Sequence, residues 1–203
     1  MNILEMMDAL DKTLFTFIHA DASSPMLDGG MKLLRNALTW IPLYAFVLYW
    51  VLRHQRKYAA QFILMTIVCF AITDYGSASI LKPLFARIRP CFDPDLQGKV
   101  RGLIDCGGQF SLPSSHASNH FGLATFWFMA VFRLEGKRWN LLWLWAFAVC
   151  YAQVYVGKHF PFDIVAGAVY GAAVGAACAY FFDRWFVREP RRVHYHMQPE
   201  YGL

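Results

Sequence analysis

Apolar residues run along this chain in long blocks separated by short polar clusters. Five of the blocks carry almost no charge: 36–52, 58–73 continuing past Asp74 to 81, 117–132, 139–157 and 164–182. About 20 apolar residues in a helix cross the hydrocarbon core of a bilayer, so blocks of this size predict five transmembrane helices. Ahead of them, Ile3, Met6, Met7, Leu10, Leu14, Phe15 and Ile18 recur at helical spacing among Glu5, Asp8, Asp11 and Lys12. That pattern predicts an amphipathic helix lying in the membrane interface, not a sixth span. The start lacks the basic segment and small-residue cleavage site of a signal peptide. Ala22-Ser-Ser-Pro25 breaks this helix, and 26–35 leads into the first span.

The predicted fold class is therefore an all-α integral membrane helical bundle of about five transmembrane helices plus an N-terminal interfacial helix. It forms one domain: 1–24 is the interfacial segment, 25–186 the bundle and 187–203 a basic cytoplasmic tail. A composition of 57% hydrophobic and 16% charged residues agrees, since soluble domains carry more charge.

Charge then bears on orientation. One side holds Arg53, Arg56, Lys57, Arg133, Lys137, Arg138 and the tail arginines 184, 188, 191 and 192; the other holds Lys12, Lys32, Arg35, Lys82, Arg87, Arg89, Lys99, Arg101 and Lys158. The raw count barely decides under the positive-inside rule, and setting aside cations assigned to chemistry places the tail in the cytoplasm. Beside a final span the tail reads as an anchor for anionic headgroups, with His194 and His196 solvated, and no nucleic-acid partner is expected. Cys91 and Cys106 share the loop between the second and third spans, whereas Cys69, Cys150 and Cys178 lie inside spans. A Cys91–Cys106 disulfide fits an oxidising, outward compartment; two reduced thiols in a cytoplasmic loop is the alternative. Gly167, Gly171 and Gly175, with Ala179 next, leave one face of the last span smooth enough for close packing, within the bundle or between protomers. Oligomeric state stays open.

Polar residues gather at three places at the outer ends of these blocks. The first is Lys82-Pro-Leu-Phe-Ala-Arg-Ile-Arg-Pro90, where three cations either snorkel to headgroups or hold a phosphate; Pro90 disfavours helix at Arg89 and turns the chain there. Asp74, in the outer half of the same span, reads as a structural partner for a serine or an arginine. A glycine-rich loop, 91–111, follows and suits a lid. The second place is Pro113-Ser114-Ser115-His116, where Ser114 caps a helix whose first-turn N–H groups also suit an anion. His116 and His120 stand four apart, but a third ligand is lacking, so no metal is expected; Asn119 and His120 line the pocket or bond a neighbouring helix. The third is Gln153 to Asp163. Pro161 suits a helix start, which brings His159 and Asp163 within reach, so that a carboxylate on one ring nitrogen orients the other as nucleophile or base. Singly, each has a structural reading. In the five-span arrangement all three reach one membrane face and ring one pocket.

At this point the chain resembles the type 2 phosphatidic acid phosphatase family, membrane lipid phosphatases that share a fold with vanadium haloperoxidases. Lys82, Arg89 and Pro90 match the first family motif; Pro113-Ser114-Ser115-His116 matches the second with Ser115 in place of glycine; Ala152-Gln153, His159 and Asp163 match the third with alanine and glutamine in place of serine and arginine. The resemblance implies hydrolysis of a lipid phosphomonoester or pyrophosphate through a phosphohistidine, with no metal and no cofactor. His159 attacks, Asp163 orients it, and His116 protonates the leaving oxygen. Lys82, Arg89, Ser114, Ser115 and Gln153 bind the phosphoryl group. Gln153 keeps an amide donor but lacks the arginine's charge, which Arg87 restores if it faces inward. The implied setting is the cell membrane, multi-pass, with the site facing outside or the periplasm. Polyprenyl pyrophosphate is the preferred substrate, with phosphatidylglycerophosphate, phosphatidic acid and lipid A as alternatives. A non-catalytic lipid-phosphate binder is the rival of another class. A haloperoxidase is disfavoured by the five apolar blocks.

Overall fold

The computed structural model describes residues 2–188. Among them the chain is all helical, with one isolated antiparallel bridge, Ile88 to Phe110. The order is α1 (Ile3–Thr16), α2 (Pro25–Arg35), α3 (Ile41–His54), α4 (Ala59–Tyr75), α5 (Lys82–Phe85), α6 (Ser115–Glu135), α7 (Leu141–Tyr155) and α8 (Pro161–Phe182). The tail expected at 187–203 lies outside the described residues from 189 onward.

Among the described residues two helices are long and apolar enough to cross a membrane, Arg56–Phe85 and Pro161–Val187. The predicted count of five runs ahead of that finding. At 1.5 Å per residue, α3 and α7, with 14 and 15 residues, are shorter than a typical span, and α6 starts with a polar turn. The apolar stretch of α6 is also not a lipid-facing surface. Its residues from Ala117 to Trp127 are all buried apart from Asn119, because α4, α7 and α8 enclose it. Thus α6 is the central post, and Phe62, Phe126 and Phe182 meet around it at 5.2 to 6.1 Å.

The glycine stripe of α8 explains the closest of these contacts. A Cβ at Gly167, Gly171 or Gly175 would sit 2.5, 2.1 or 2.3 Å from the carbonyl oxygens of Ser114, Ser118 and Gly122 on α6. The smooth face is used inside the bundle, and it fixes the start of α6 against the start of α8. Asp74 is paired as expected of a structural acid, though with an amide: it accepts a 2.8 Å hydrogen bond from Asn119.

The N-terminal helix docks on the bundle through one face. Asn2 and Glu5 form a reciprocal capping box that starts α1. The face bearing Ile3, Met6, Met7 and Leu10 is exposed, as an interfacial helix requires, yet the opposite face docks on the bundle and buries Asp11 and Phe15 completely. His19, just beyond α1, is clamped between the Tyr155 carbonyl at 2.7 Å and the Arg101 N–H at 2.8 Å. Ser24 caps α2, and the Tyr155 hydroxyl donates to Ser24 O and to Asp28. The N-terminal segment is therefore part of the folded unit.

Candidate active site

The helix carrying Lys82 widens just before it. Residues Gly76–Leu81 form a π-helical stretch, and at Gly76 the Tyr170 hydroxyl, which donates to Ile72 O, occupies the space where a Cβ would go. Such stretches re-aim the residues that follow. Pro83 then allows only one more turn, Ala86 takes the left-handed conformation, and the chain leaves as an extended segment. Arg89 is extended, as Pro90 requires. Its N–H bonds Gln109 O, while Ser111 N–H bonds Arg87 O, so the loop 91–111 returns antiparallel and pins both arginines.

Arg89 is buried, its Nε donating to Phe110 O at 3.1 Å, and its Nη1 has no partner among the described residues. Arg87 goes elsewhere. It faces inward, but to carboxylates: its guanidinium lies 3.0 Å from Asp163 Oδ1 and 2.7 Å from Asp11 Oδ2. The expectation that Arg87 restores charge to the phosphate pocket is thereby corrected, because two buried acids already claim it.

His159, in the turn between α7 and α8, is 2% exposed, and Asp163 is fully buried. Their Nδ1 and Oδ2 atoms stand 3.5 Å apart, an ion-pair distance somewhat long for the hydrogen bond the spacing suggested. Oδ2 also accepts the Phe160 N–H at 2.9 Å. The carboxylate is thus held by a backbone donor at the first turn of α8 and by Arg87, and it presents its remaining edge to the ring. Burial pushes the His159 imidazole down to about 4, against the pull of Asp163 and with help from Lys82 and Arg89. At neutral pH the ring is neutral, the state a nucleophile needs.

The second cluster meets the first through α6. Ser114 caps that helix, with Ala117 N–H 3.4 Å from its hydroxyl. Its own backbone N–H donates to Asp163 O at 3.0 Å, which leaves the N–H groups that follow it to meet an anion. The N–H groups of Ser115 and His116 stand in the first turn, where the helix itself provides no acceptor. The Ser115 hydroxyl is buried without a partner. The His116 ring stacks over His120 at 6.1 Å. His120 turns away, bonding His116 O and packing 4.8 Å from Trp145, so it serves the core.

Gln153 is fully buried, and neither side-chain atom has a partner. The structure also brings in residues that the sequence reading left aside. Asp11 buttresses Arg87 and accepts the Phe162 N–H at 2.9 Å. Burial pushes its carboxyl up, against that N–H and Arg87. An acid inside an amphipathic helix was its only sign. Lys158, next to His159, donates to Asp105 O at 2.8 Å, and burial with Arg89 and Arg35 pushes its ammonium down to about 8. Cys91 and Cys106 are joined, their Cα atoms 6.4 Å apart. The loop they close is tied down by Lys12 to Asp93 and Asp95 and by Arg101 to Asp28.

Two histidines, a held carboxylate and several cations thus lie close enough to act on one another electrostatically. The PAP2 superfamily profile matches residues 58–186 of this chain. A lipid A 4'-phosphatase of Bacteroides thetaiotaomicron is 35% identical over 180 residues, covering 85% of this chain and 77% of the relative. A second lipid A 4'-phosphatase, from Porphyromonas gingivalis, is 30% identical over 168 residues, covering 82% and 70%. The solved structure of a transmembrane PAP2 type phosphatidylglycerolphosphate phosphatase from Bacillus subtilis has the same fold, with a TM-score of 0.63 at 17% identity over 93% of this chain and 90% of that one. The site described above falls within or directly against the matched stretch, and the chain belongs to the PAP2 superfamily.

Proposed function

We propose that this PAP2 phosphatase removes a phosphomonoester from a lipid of the lipid A class, at the outer face of the cell membrane and without a metal. The observation that carries the reading is a buried His159 beside Asp163, with Lys82 and Arg89 close by and in no ion pair among the described residues. In the proposed reaction His159 Nε2 attacks phosphorus, the phosphorus–oxygen bond to the lipid breaks, and His116 gives its proton to the leaving oxygen. His116 then takes a proton from water as that water attacks the phosphohistidine, releasing inorganic phosphate and restoring His159. Lys82, Arg89 and the Ser115 and His116 N–H groups hold the phosphoryl oxygens.

The choice of lipid follows the two relatives named lipid A 4'-phosphatase, and it replaces polyprenyl pyrophosphate, which the resemblance alone had put first. The proposed setting is multi-pass, with α3, the α4–α5 helix, α6, α7 and α8 crossing and the Cys91–Cys106 loop outside. Both the distribution of lysine and arginine and the joined cysteines support that orientation.

The test is phosphate release by purified protein, with chelator present, from lipid A, undecaprenyl pyrophosphate, phosphatidylglycerophosphate and phosphatidic acid. Preference for lipid A, lost in His159→Ala, supports the reading. A preference for another lipid moves the substrate, and lipid binding without release from any of them identifies a binder.

A further inference from the structure

Arg35 ends α2, far in sequence from every motif above, and it was counted only as one of the cations on the outer side. It is half-buried, its Nε is buried with no partner among the described residues, and it makes no ion pair among them. Its charge acts on three residues of the pocket, His116, Arg89 and Lys158. Those three come from α6, the extended segment after α5 and the turn after α7, so Arg35 stands where separate parts of the pocket converge. The placement follows from the packing of α2 on α7. Tyr155 holds the start of α2 through Ser24 and Asp28, and the Trp40 indole donates to Leu34 O at 2.8 Å, which fixes its end.

Lys82, Arg89 and Lys158 likewise make no ion pair among the described residues, whereas Lys12, Arg87, Arg101 and Arg133 all do. Gathering like charges in a partly buried place is unfavourable unless an anion joins them. The position expected to carry the pocket's further cation, 153, is a glutamine with both amide atoms unpartnered and no charge to offer. We propose that Arg35 is a phosphate-binding residue of this enzyme, reaching the phosphoryl group from α2 and supplying the charge that position 153 lacks. This rests on the phosphatase reading and names a binding residue outside the matched stretch 58–186. The planar guanidinium suits the two-point contact that a phosphoryl group offers.

The experiment compares Arg35→Lys, Arg35→Gln and Arg35→Gln with Gln153→Arg, all in full-length protein shown to be folded by its thermal transition. The readouts are kcat and KM on lipid A and inhibition by inorganic phosphate. Loss of a charged hydrogen bond predicts a fall in kcat/KM of about tenfold to a hundredfold for Arg35→Gln. Inhibition by phosphate weakens about as much, Arg35→Lys keeps most of both, and Gln153→Arg regains about tenfold. Equal behaviour of the Lys and Gln variants overturns the proposal, as does weakened lipid turnover with unchanged phosphate inhibition, which would assign Arg35 to another part of the lipid. Should Arg35→Gln match the parent while His159→Ala is inactive, only this inference fails. An active His159→Ala would remove the reading beneath it.

Discussion

The two sides of His159 are built on opposite plans. On the carboxylate side every charge has a partner: Asp163 meets Arg87 and the Phe160 N–H, Arg87 meets Asp11, and Asp11 meets the Phe162 N–H. On the phosphate side Arg35, Lys82, Arg89 and Lys158 have no ionic partner among the described residues, and the amide of Gln153 is unpaired. The first side is complete before substrate arrives, and its work is to hold one ring still. The second, on the proposed reading, is completed by the phosphoryl group. Damage to the first should therefore appear in kcat, and damage to the second in KM and in phosphate inhibition.

The largest effect tests the first half of that contrast. Arg87→Ala leaves Asp11 and Asp163 buried together without their cation, and removal of one partner from a buried ionic group is costly. Phosphate release should fall by about a hundredfold, mainly in kcat, while inhibition by inorganic phosphate changes little. Asp11→Asn keeps an acceptor for the Phe162 N–H but weakens the hold on Arg87, and about a tenfold loss in kcat is expected. On the other side Arg89→Ala should raise KM about tenfold, with weaker phosphate inhibition, and leave kcat less affected. A kcat effect at Arg89 or a KM effect at Asp11 would erase the distinction.

The pH profile sharpens it. Lys158 has its ammonium pushed down to about 8, below the ordinary lysine value, so it is charged below that pH and neutral above. A cation that attracts phosphate is thus lost as pH rises, and kcat/KM should decline through about 8, since that ratio reports the free enzyme. Lys158→Arg, which stays protonated, should flatten the decline. The smallest effect on turnover is expected for Cys91→Ser. Opening the loop should cost about 3 kcal/mol of stability on the chain-entropy account. The lowered thermal transition would accompany turnover within about threefold of the parent at low temperature, because Lys12 and Arg101 still tie the loop down.

What could be read from the chain divides along the same line. His116, His159, Asp163, Lys82 and Arg89 lie at fixed spacings near helix starts and a proline turn, so they could be picked out as candidates locally. The polar start of α6 and the glycine stripe of α8 likewise announced where two helices meet. Arg87 could not be placed, because the direction of its side chain is decided by Asp11, which is 76 residues away. Asp11 and Arg35 were invisible for a related reason: each is one charge on an amphipathic helix, and only docking of α1 and α2 turns it toward the pocket. The span count goes beyond the two helices that pass on length and apolarity, for a physical reason as well. Apolar blocks signal burial, and burial inside a bundle, as for α6, writes the same pattern as exposure to lipid.

The central claim is that His159 carries the phosphoryl group between lipid and water. The most direct measurement is an acid-free rapid quench of the enzyme with lipid A bearing a labelled 4'-phosphate, followed by denaturation in base and digestion. The account predicts a transient, base-stable and acid-labile label on the peptide holding His159, absent in His159→Ala. Full turnover with no label there, or label on another residue, would contradict it.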